Sequence, residues 1–350
     1  MREFYILVLI LFDLTGLYTK SCGQKLLSSN ELDQTKIYTS IEDGLKKPDQ
    51  VYQLDLLSNN LKDLPPTIAN FTRLQRLFLN DNQLKKLPPQ IGELINLQEL
   101  YLDGNLLEQL PPEIGKLINL EVLSLHGNKL TTIPREIAGL KNLKSIYLTE
   151  NKLTILPVEI GELSSLETID LAYNNIMVLP KNLGRLSQLR ELFVTANKLV
   201  KLPVEIGQLT NLEQFFIDDN LLSGIPKELG SLTKLKQIGM ANNKLISLPA
   251  SIGQLVELTS LYLSGNQLKT LPIEIGNLKK LENLFLSDNF LISVPKEMGQ
   301  LINLKELNLY NNRLTQLPAE FSELVNLQNL GIGKNDLKVI PGNLANIHIY

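Results

Sequence analysis

The sequence predicts an α/β repeat solenoid, a curved horseshoe with parallel strands on its concave side and short helical or 3-10 turns on its convex side. Three observations carry that prediction. Asparagine recurs every 23 residues from Asn59 to Asn335, thirteen times without an inserted or deleted residue. Proline keeps the same step from Pro65 to Pro341. The chain has 350 residues, 43% of them apolar, a length that would ordinarily divide into separate compact domains. An unbroken period of this size points instead to stacked units sharing one continuous core.

The first residues stand outside the period. Arg2 leads into FYILVLILF, Phe4 to Phe12, which Asp13 ends. That stretch is too short to span a bilayer and fits the apolar part of a secretory signal over residues 1–23. Two processing sites fit: Ser21 and Gly23 precede a cut before Gln24, and TKSC ending at Cys22 resembles a lipoprotein box in which that cysteine is lipidated. Residues 24–36 are polar and read as a flexible linker. Residues 37–50 read as an amphipathic cap helix: Thr39 and Glu42 form a capping box, Ile37, Ile41 and Leu45 share a face, and Pro48 stops it.

From residue 51 to 349 each unit reads L-x-x-L-x-L-x-x-N-x-L-x-x-L-P-x-x-I-G-x-L-x-x, as in Leu97 to Asn119. LQELYL, Leu97 to Leu102, alternates with period two and predicts a short strand. Leu107 and Leu110 then turn inward, and PPEIGKL, Pro111 to Leu117, suits one helical or 3-10 turn with proline in its first turn. Glu113 favours the positive end of that turn, and Gly115 ends it. Nothing resembling a separate C-terminal cap follows the thirteenth unit, Leu327 to Ile349, so its flank is a candidate for weak end-to-end association of an otherwise monomeric protein.

The string LxxLxLxxNxL with an LPxxIGxLxxL second half resembles the leucine-rich repeats, and the likeness covers residues 51–349, about 85% of the chain. The LPxEIGxLxNL variant behind a leader is most similar to exported leucine-rich repeat proteins of pathogenic spirochaetes; similar units occur in intracellular signalling scaffolds. The resemblance implies an asparagine ladder of Asn59, Asn82, Asn105, Asn128, Asn151, Asn174, Asn197, Asn220, Asn243, Asn266, Asn289, Asn312 and Asn335, each amide bonding backbone of its own and the next loop. The chemistry agrees: a coil leaving a strand orphans both N–H and C=O groups in a dry interior, and an amide carries both donor and acceptor.

The resemblance also makes the strand face concave and ligand-binding, so its variable columns are the informative ones. The residue between the second and third consensus leucines is aromatic in seven of thirteen units, in a chain with 6% aromatics overall: Phe78, Tyr101, Tyr147, Phe193, Phe216, Tyr262 and Phe285. Units stack about 4.8 Å apart, which sets Phe78/Tyr101, Phe193/Phe216 and Tyr262/Phe285 side by side. The four outward strand columns hold eleven acids, among them Asp81, Asp103, Glu191, Asp218 and Asp219, against two bases, Arg76 and Lys334; the remainder of the chain has 26 acids and 32 bases. Exposed aromatics favour protein interfaces and the charge favours a basic partner. The strongest patch is Phe193, Phe216, Asp218 and Asp219 with Tyr173 and Glu191 nearby; the second is Phe78, Asp81, Tyr101 and Asp103. The competing reading of the same aromatics is cross-strand stabilisation worth roughly 0.2–1 kcal/mol per pair.

Other chemistries find little support. One cysteine and two histidines, His126 and His348, argue against zinc or copper sites, and a pI of about 5.7 with a net charge of −3 argues against nucleic acid. No catalytic residues, metal ligands or cofactor are expected, and no transmembrane helix. The reading is a secreted or surface-exposed module that binds a protein, possessing no enzymatic activity. The alternatives are a self-assembling envelope protein, or an intracellular scaffold if residues 1–23 are retained.

Overall fold

The computed structural model describes residues 26–339, 344 and 347–350. The leader, Cys22 and Pro341 lie outside the described residues. Among these residues fifteen parallel strands form one open sheet in strict sequence order, β1 to β15. The sheet begins with β1 (Ile37–Tyr38) and β2 (Gln53–Asp55), continues with one three-residue strand per unit to β14 (Asn329–Gly331), and ends with β15 (His348–Ile349). Partners in neighbouring units are 23 residues apart, as for Leu77 opposite Leu100, so the sequence period is also the strand register. On the other side of each coil lies a five-residue 3-10 turn, such as Pro112–Lys116. Between the two layers runs a single aliphatic core from Tyr38 to Leu344, supplied by the consensus leucines.

The repeating proline stands one place earlier than the sequence predicts. Pro111 is the extended residue before the turn (φ −69°, ψ 147°), and its carbonyl accepts the Ile114 N–H at 3.0 Å. Proline suits this place because its fixed φ matches the extended entry to the turn. The glycine column also has a different cause. Gly115 lies inside the turn, and a Cβ there would strike the carbonyl of Glu136 in the next coil. At Gly92 the same clash, with Glu113 O, would be at 2.5 Å. Glycine therefore permits close stacking of turns rather than ending them.

The asparagine ladder forms, but it reaches backward. Asn105 Nδ2 donates to Leu102 O and Asp103 O of its own coil at 3.0 and 3.2 Å and to Leu79 O of the preceding coil at 2.8 Å. Its Oδ1 accepts the Leu84 N–H, also of the preceding coil, at 3.0 Å. The next loop is served by the next asparagine. Asn59 is consequently no rung: no leucine-rich coil precedes it, and it is exposed with one donation, to Leu57 O at 3.3 Å. A second asparagine column escaped the periodic reading of the core. Asn119 of the LxNL segment donates to Ile95 O, and Asn142 to Ile118 O, stitching the coils on the approach to the strands.

Both ends depart from the sequence expectations. Residues 26–36 are not wholly a flexible linker: Ser29–Leu32 forms helix α1, closed by a Ser28/Glu31 capping box, with Leu32 1% exposed. Residues 37–50 are not one helix. Ile37 and Tyr38 pair with Gln53 and Leu54 as a strand, helix α2 (Ile41–Leu45) is capped by Ser40 instead of Thr39, and a 3-10 turn follows at Pro48–Gln50. Strand pairing to β2 supplies ladder bonds that an N-terminal helix could not, and it turns Ile37 outward. At the far end the edge of β14 is covered, because β15 pairs with it and Tyr350 O accepts the N–H groups of Ile332 and Gly333. His348 stands opposite Asn329, a step of 19 residues in place of 23.

Candidate functional site

The first and third residues of each three-residue strand point away from the core, so they line the strand face. On it the three expected aromatic pairs form. Phe78 and Tyr101 stack with centroids 5.0 Å apart, Phe193 and Phe216 at 5.8 Å, and Tyr262 and Phe285 at 5.1 Å. A fourth contact skips a unit: Phe216 and Tyr262 approach to 6.2 Å although β10 (Gln237–Gly239) lies between their strands. Gly239 makes this possible. A Cβ on it would sit 2.6 Å from Phe216 Cδ1 and would overlap the Asp218 carboxylate. Phe193, Phe216, Tyr262 and Phe285 thus make one ladder across five strands. Tyr147 stands apart, with Ser124 and Asp170 as its register neighbours.

The acids divide by what they touch. Asp103 Oδ1 accepts the Ser124 hydroxyl at 2.6 Å and the His126 N–H at 2.8 Å. Asp218 Oδ1 accepts the Ala241 N–H at 2.7 Å. Both therefore satisfy a backbone N–H of the next coil that the inter-coil backbone bonds pass over. Burial pushes the Asp218 carboxyl above its ordinary pKa, and the Ala241 N–H offsets this in part. Glu191 accepts the Thr168 hydroxyl at 3.1 Å. Asp219 is exposed and accepts from Asn242 Nδ2 at 2.9 Å. Asp81 is exposed at the rim beside Gly104.

The rim itself is built from left-handed residues. The residue before each ladder asparagine has positive φ: 54° at Asp81, 55° at Glu150, 54° at Tyr173 and 55° at Asp219. Asp and Asn tolerate this conformation, whereas a bulky residue there is strained by roughly 1–3 kcal/mol. Tyr173 is such a residue, and it is 59% exposed.

Arg76 is the feature that composition conceals. It counts as a base on an acidic face, yet it is 9% exposed. Its guanidinium forks onto Glu99 at 2.7 and 2.8 Å and donates to Asp33 Oδ1 at 2.8 Å and Ser29 Oγ at 3.2 Å. Gln53 Nε2 donates to Leu32 O at 2.6 Å, and Gln75 Oε1 accepts the Leu27 N–H at 2.9 Å. The segment around α1 is thereby clasped to the start of the strand face. The sequence signal for it was the S-x-x-E of Ser28 and Glu31. The Glu99 fork raises the Arg76 pKa still further, and Tyr101, which donates its hydroxyl to Glu99 at 2.9 Å, is pushed up to about 12 by burial and then by that carboxylate.

The two patches stay separate: one spans β3 (Arg76–Phe78) and β4 (Glu99–Tyr101), the other β8 (Glu191–Phe193) to β12 (Asn283–Phe285). Two hollows, of about 520 Å³ beside Ile332 and Tyr350 and about 320 Å³ between Pro65-Pro66 and Pro88-Pro89, lie off both patches. Among the described residues no group of three or more His, Cys, Asp or Glu side chains could hold a metal ion, and no helix is long and apolar enough to cross a membrane.

Comparison with known proteins agrees with this geometry. The family model for a leucine-rich repeat region matches residues 135–240 and 223–332, and two further leucine-rich repeat models match residues 95–153 and 72–116. No curated protein matches by sequence. A leucine-rich repeat protein of Leptospira interrogans is 34% identical over 90% of this chain and 100% of its own, with a TM-score of 0.70. The plant peptide hormone receptor RGFR1, solved in complex with RGF2, is 30% identical over 89% of this chain and 56% of its own, with a TM-score of 0.71. An internalin of Listeria monocytogenes shares the fold, with a TM-score of 0.74 at 20% identity over 87% of each chain.

Proposed function

The chain belongs to the leucine-rich repeat family, and from that membership we propose that it is an exported, non-catalytic binding protein whose strand face takes a protein partner. The fold commonly mediates protein–protein binding. The observation that carries the reading here is the ring ladder of Phe193, Phe216, Tyr262 and Phe285, half-exposed beside the strained and exposed Tyr173. Half-exposed aromatics supply large apolar area with little side-chain entropy to lose, the usual make-up of interface anchors. The acids of the face favour a basic partner and a salt-dependent association rate. A surface of a host cell is the setting that the spirochaete-like repeats favour, and the RGFR1–RGF2 complex is a precedent for a ligand on such a scaffold.

The test compares the native chain with Tyr173→Asn/Phe193→Ala/Asp219→Asn in capture from host-cell membrane extracts. Asn is compatible with the left-handed rim, so the fold survives. A partner captured by the native chain and lost by the variant, with thermal unfolding preserved, supports the site. Equal capture refutes it. Intact mass of the protein from its native source decides export: a chain beginning at Gln24, or a lipidated Cys22, supports it, and a retained Met1–Gly23 favours the intracellular scaffold. Sedimentation at rising concentration reads end-to-end association against a monomer.

A further inference from the structure

The flank that follows each ladder asparagine differs in charge from the strand face. Its outward residues are the tenth, twelfth and thirteenth of each unit, and across the thirteen units they comprise eleven bases and three acids. On the opposite flank the bases are paired, as in Lys144–Glu121 at 2.6 Å and Lys305–Glu282 at 2.7 Å. Here Lys152, Lys198 and Lys201 are exposed, and no ion pair holds any of them among the described residues. Between them lie aliphatic side chains that water should not favour: Ile155 is 58% exposed, Met177 55%, Val178 45% and Val200 44%. They are contiguous, because Ile155 and Val178, like Met177 and Val200, are one unit apart in the stack.

We propose that this flank docks on an anionic lipid surface, the aliphatic cluster entering the head-group layer and the lysines meeting lipid phosphates. An acidic protein is the weaker match. The bases run the length of the solenoid on one side with few acids between them, and the residues interspersed among them are exposed aliphatics in place of polar groups that would order a protein partner. Lysine stems cover apolar surface while their ammonium groups reach outward, which is the arrangement of interfacial segments. The strand face stands on an adjacent side of each coil, so lipid docking leaves it open; the inference does not depend on what the strand face binds.

The test is co-sedimentation of the full chain with vesicles of three parts phosphatidylcholine to one part phosphatidylglycerol, against pure phosphatidylcholine. Every variant keeps residues 1–25, so that stretch contributes equally throughout. Selective binding to the anionic vesicles is expected, weakening as salt rises. Lys152→Gln/Lys198→Gln/Lys201→Gln should lower it roughly a hundredfold, at about fivefold per lysine, and the matching Lys→Arg triple should retain it. Ile155→Ser/Met177→Ser/Val178→Ser should lower it about tenfold. The proposal is overturned if anionic vesicles are not preferred, or if the Gln triple binds them as well as the native chain. It is equally overturned if binding is indifferent to the Ser triple and is displaced by polyglutamate, which would assign the flank to a soluble acidic polymer.

Discussion

Asn220→Ala tests the ladder at its centre. The native amide donates to Val194 O at 2.9 Å, Ile217 O at 3.1 Å and Asp218 O at 3.0 Å, and accepts the Leu199 N–H at 2.9 Å. Asn220 is 4% exposed, so no water replaces these bonds from outside. Orphaning the Leu199 N–H costs about 1–3 kcal/mol and each lost donation about 0.5–1 kcal/mol. With partial relaxation the loss should total about 2–4 kcal/mol. Asn59→Ala is the internal control, because that exposed amide makes one local bond and its loss should stay within about 0.5 kcal/mol. A long repeat array need not unfold in one step. The assay is therefore urea unfolding together with hydrogen exchange at Leu199 and Leu222, whose N–H groups donate to Asn220 Oδ1 and Asn243 Oδ1. Faster exchange confined to the coils around Asn220 is expected. Equal losses for the two variants would refute the distinction between a rung and a bystander, and with it the claim that the ladder works backward from each coil onto the one before.

Gly239→Ala should cost about 1–3 kcal/mol by overpacking against Phe216 and Asp218 and should disperse the Phe216–Tyr262 contact, which near-ultraviolet circular dichroism reads. Tyr101, with a folded pKa of about 12 against an ordinary value of 10.0, contributes stability that is complete below pH 10 and is lost as pH rises towards 12. Urea midpoints across that range should therefore fall more steeply for the native chain than for Tyr101→Phe. Asp218→Ala should lose about 1 kcal/mol by freeing the Ala241 N–H. Asp218→Asn keeps an acceptor and removes a charge that burial disfavours, so its melting temperature near neutral pH should equal or exceed the native value.

Much of this was legible because register and period coincide. Once Leu77 opposes Leu100, the next outward residues, Phe78 and Tyr101, must lie side by side. The Phe216–Tyr262 contact was not legible, because adjacency stops at one unit and only the vacant space over Gly239 lets a ring lean across two. The clasp around α1 was hidden for a different reason. Its polarity reads as solvated, yet Asp33 and Ser29 are taken up by Arg76, and its backbone is held as well, with Leu32 O accepting Gln53 Nε2 and the Leu27 N–H donating to Gln75, groups that composition does not display. The positive φ at Tyr173 is not visible in that residue itself, although glycine, asparagine and aspartate, which suit the left-handed conformation, fill eight of the thirteen places in its column.

The acids of the strand face consequently serve two masters, and separating them sharpens where a partner would be read. The N–H groups of the sixth and eighth residues of a unit bond the next coil, as Leu125 does to Tyr147 O and Gly127 to Thr149 O, and the N–H of the seventh residue between them turns to a carboxylate in four units. Leu57 and Ala172 donate it to Asp55 and Asp170 of their own unit, while His126 and Ala241 donate it to Asp103 and Asp218 of the unit before. Glu99 is spent on Arg76 and Tyr101. These carboxylates belong to the frame, and replacing them would confuse a loss of folding with a loss of binding. What remains exposed is the left-handed rim: Asp81, Glu150, Asp219 and Asp288, in the same column as Tyr173. A basic partner would then place its charges along that rim and its apolar groups against the ring ladder. Salt should weaken the contacts at the rim and leave those at the rings largely intact.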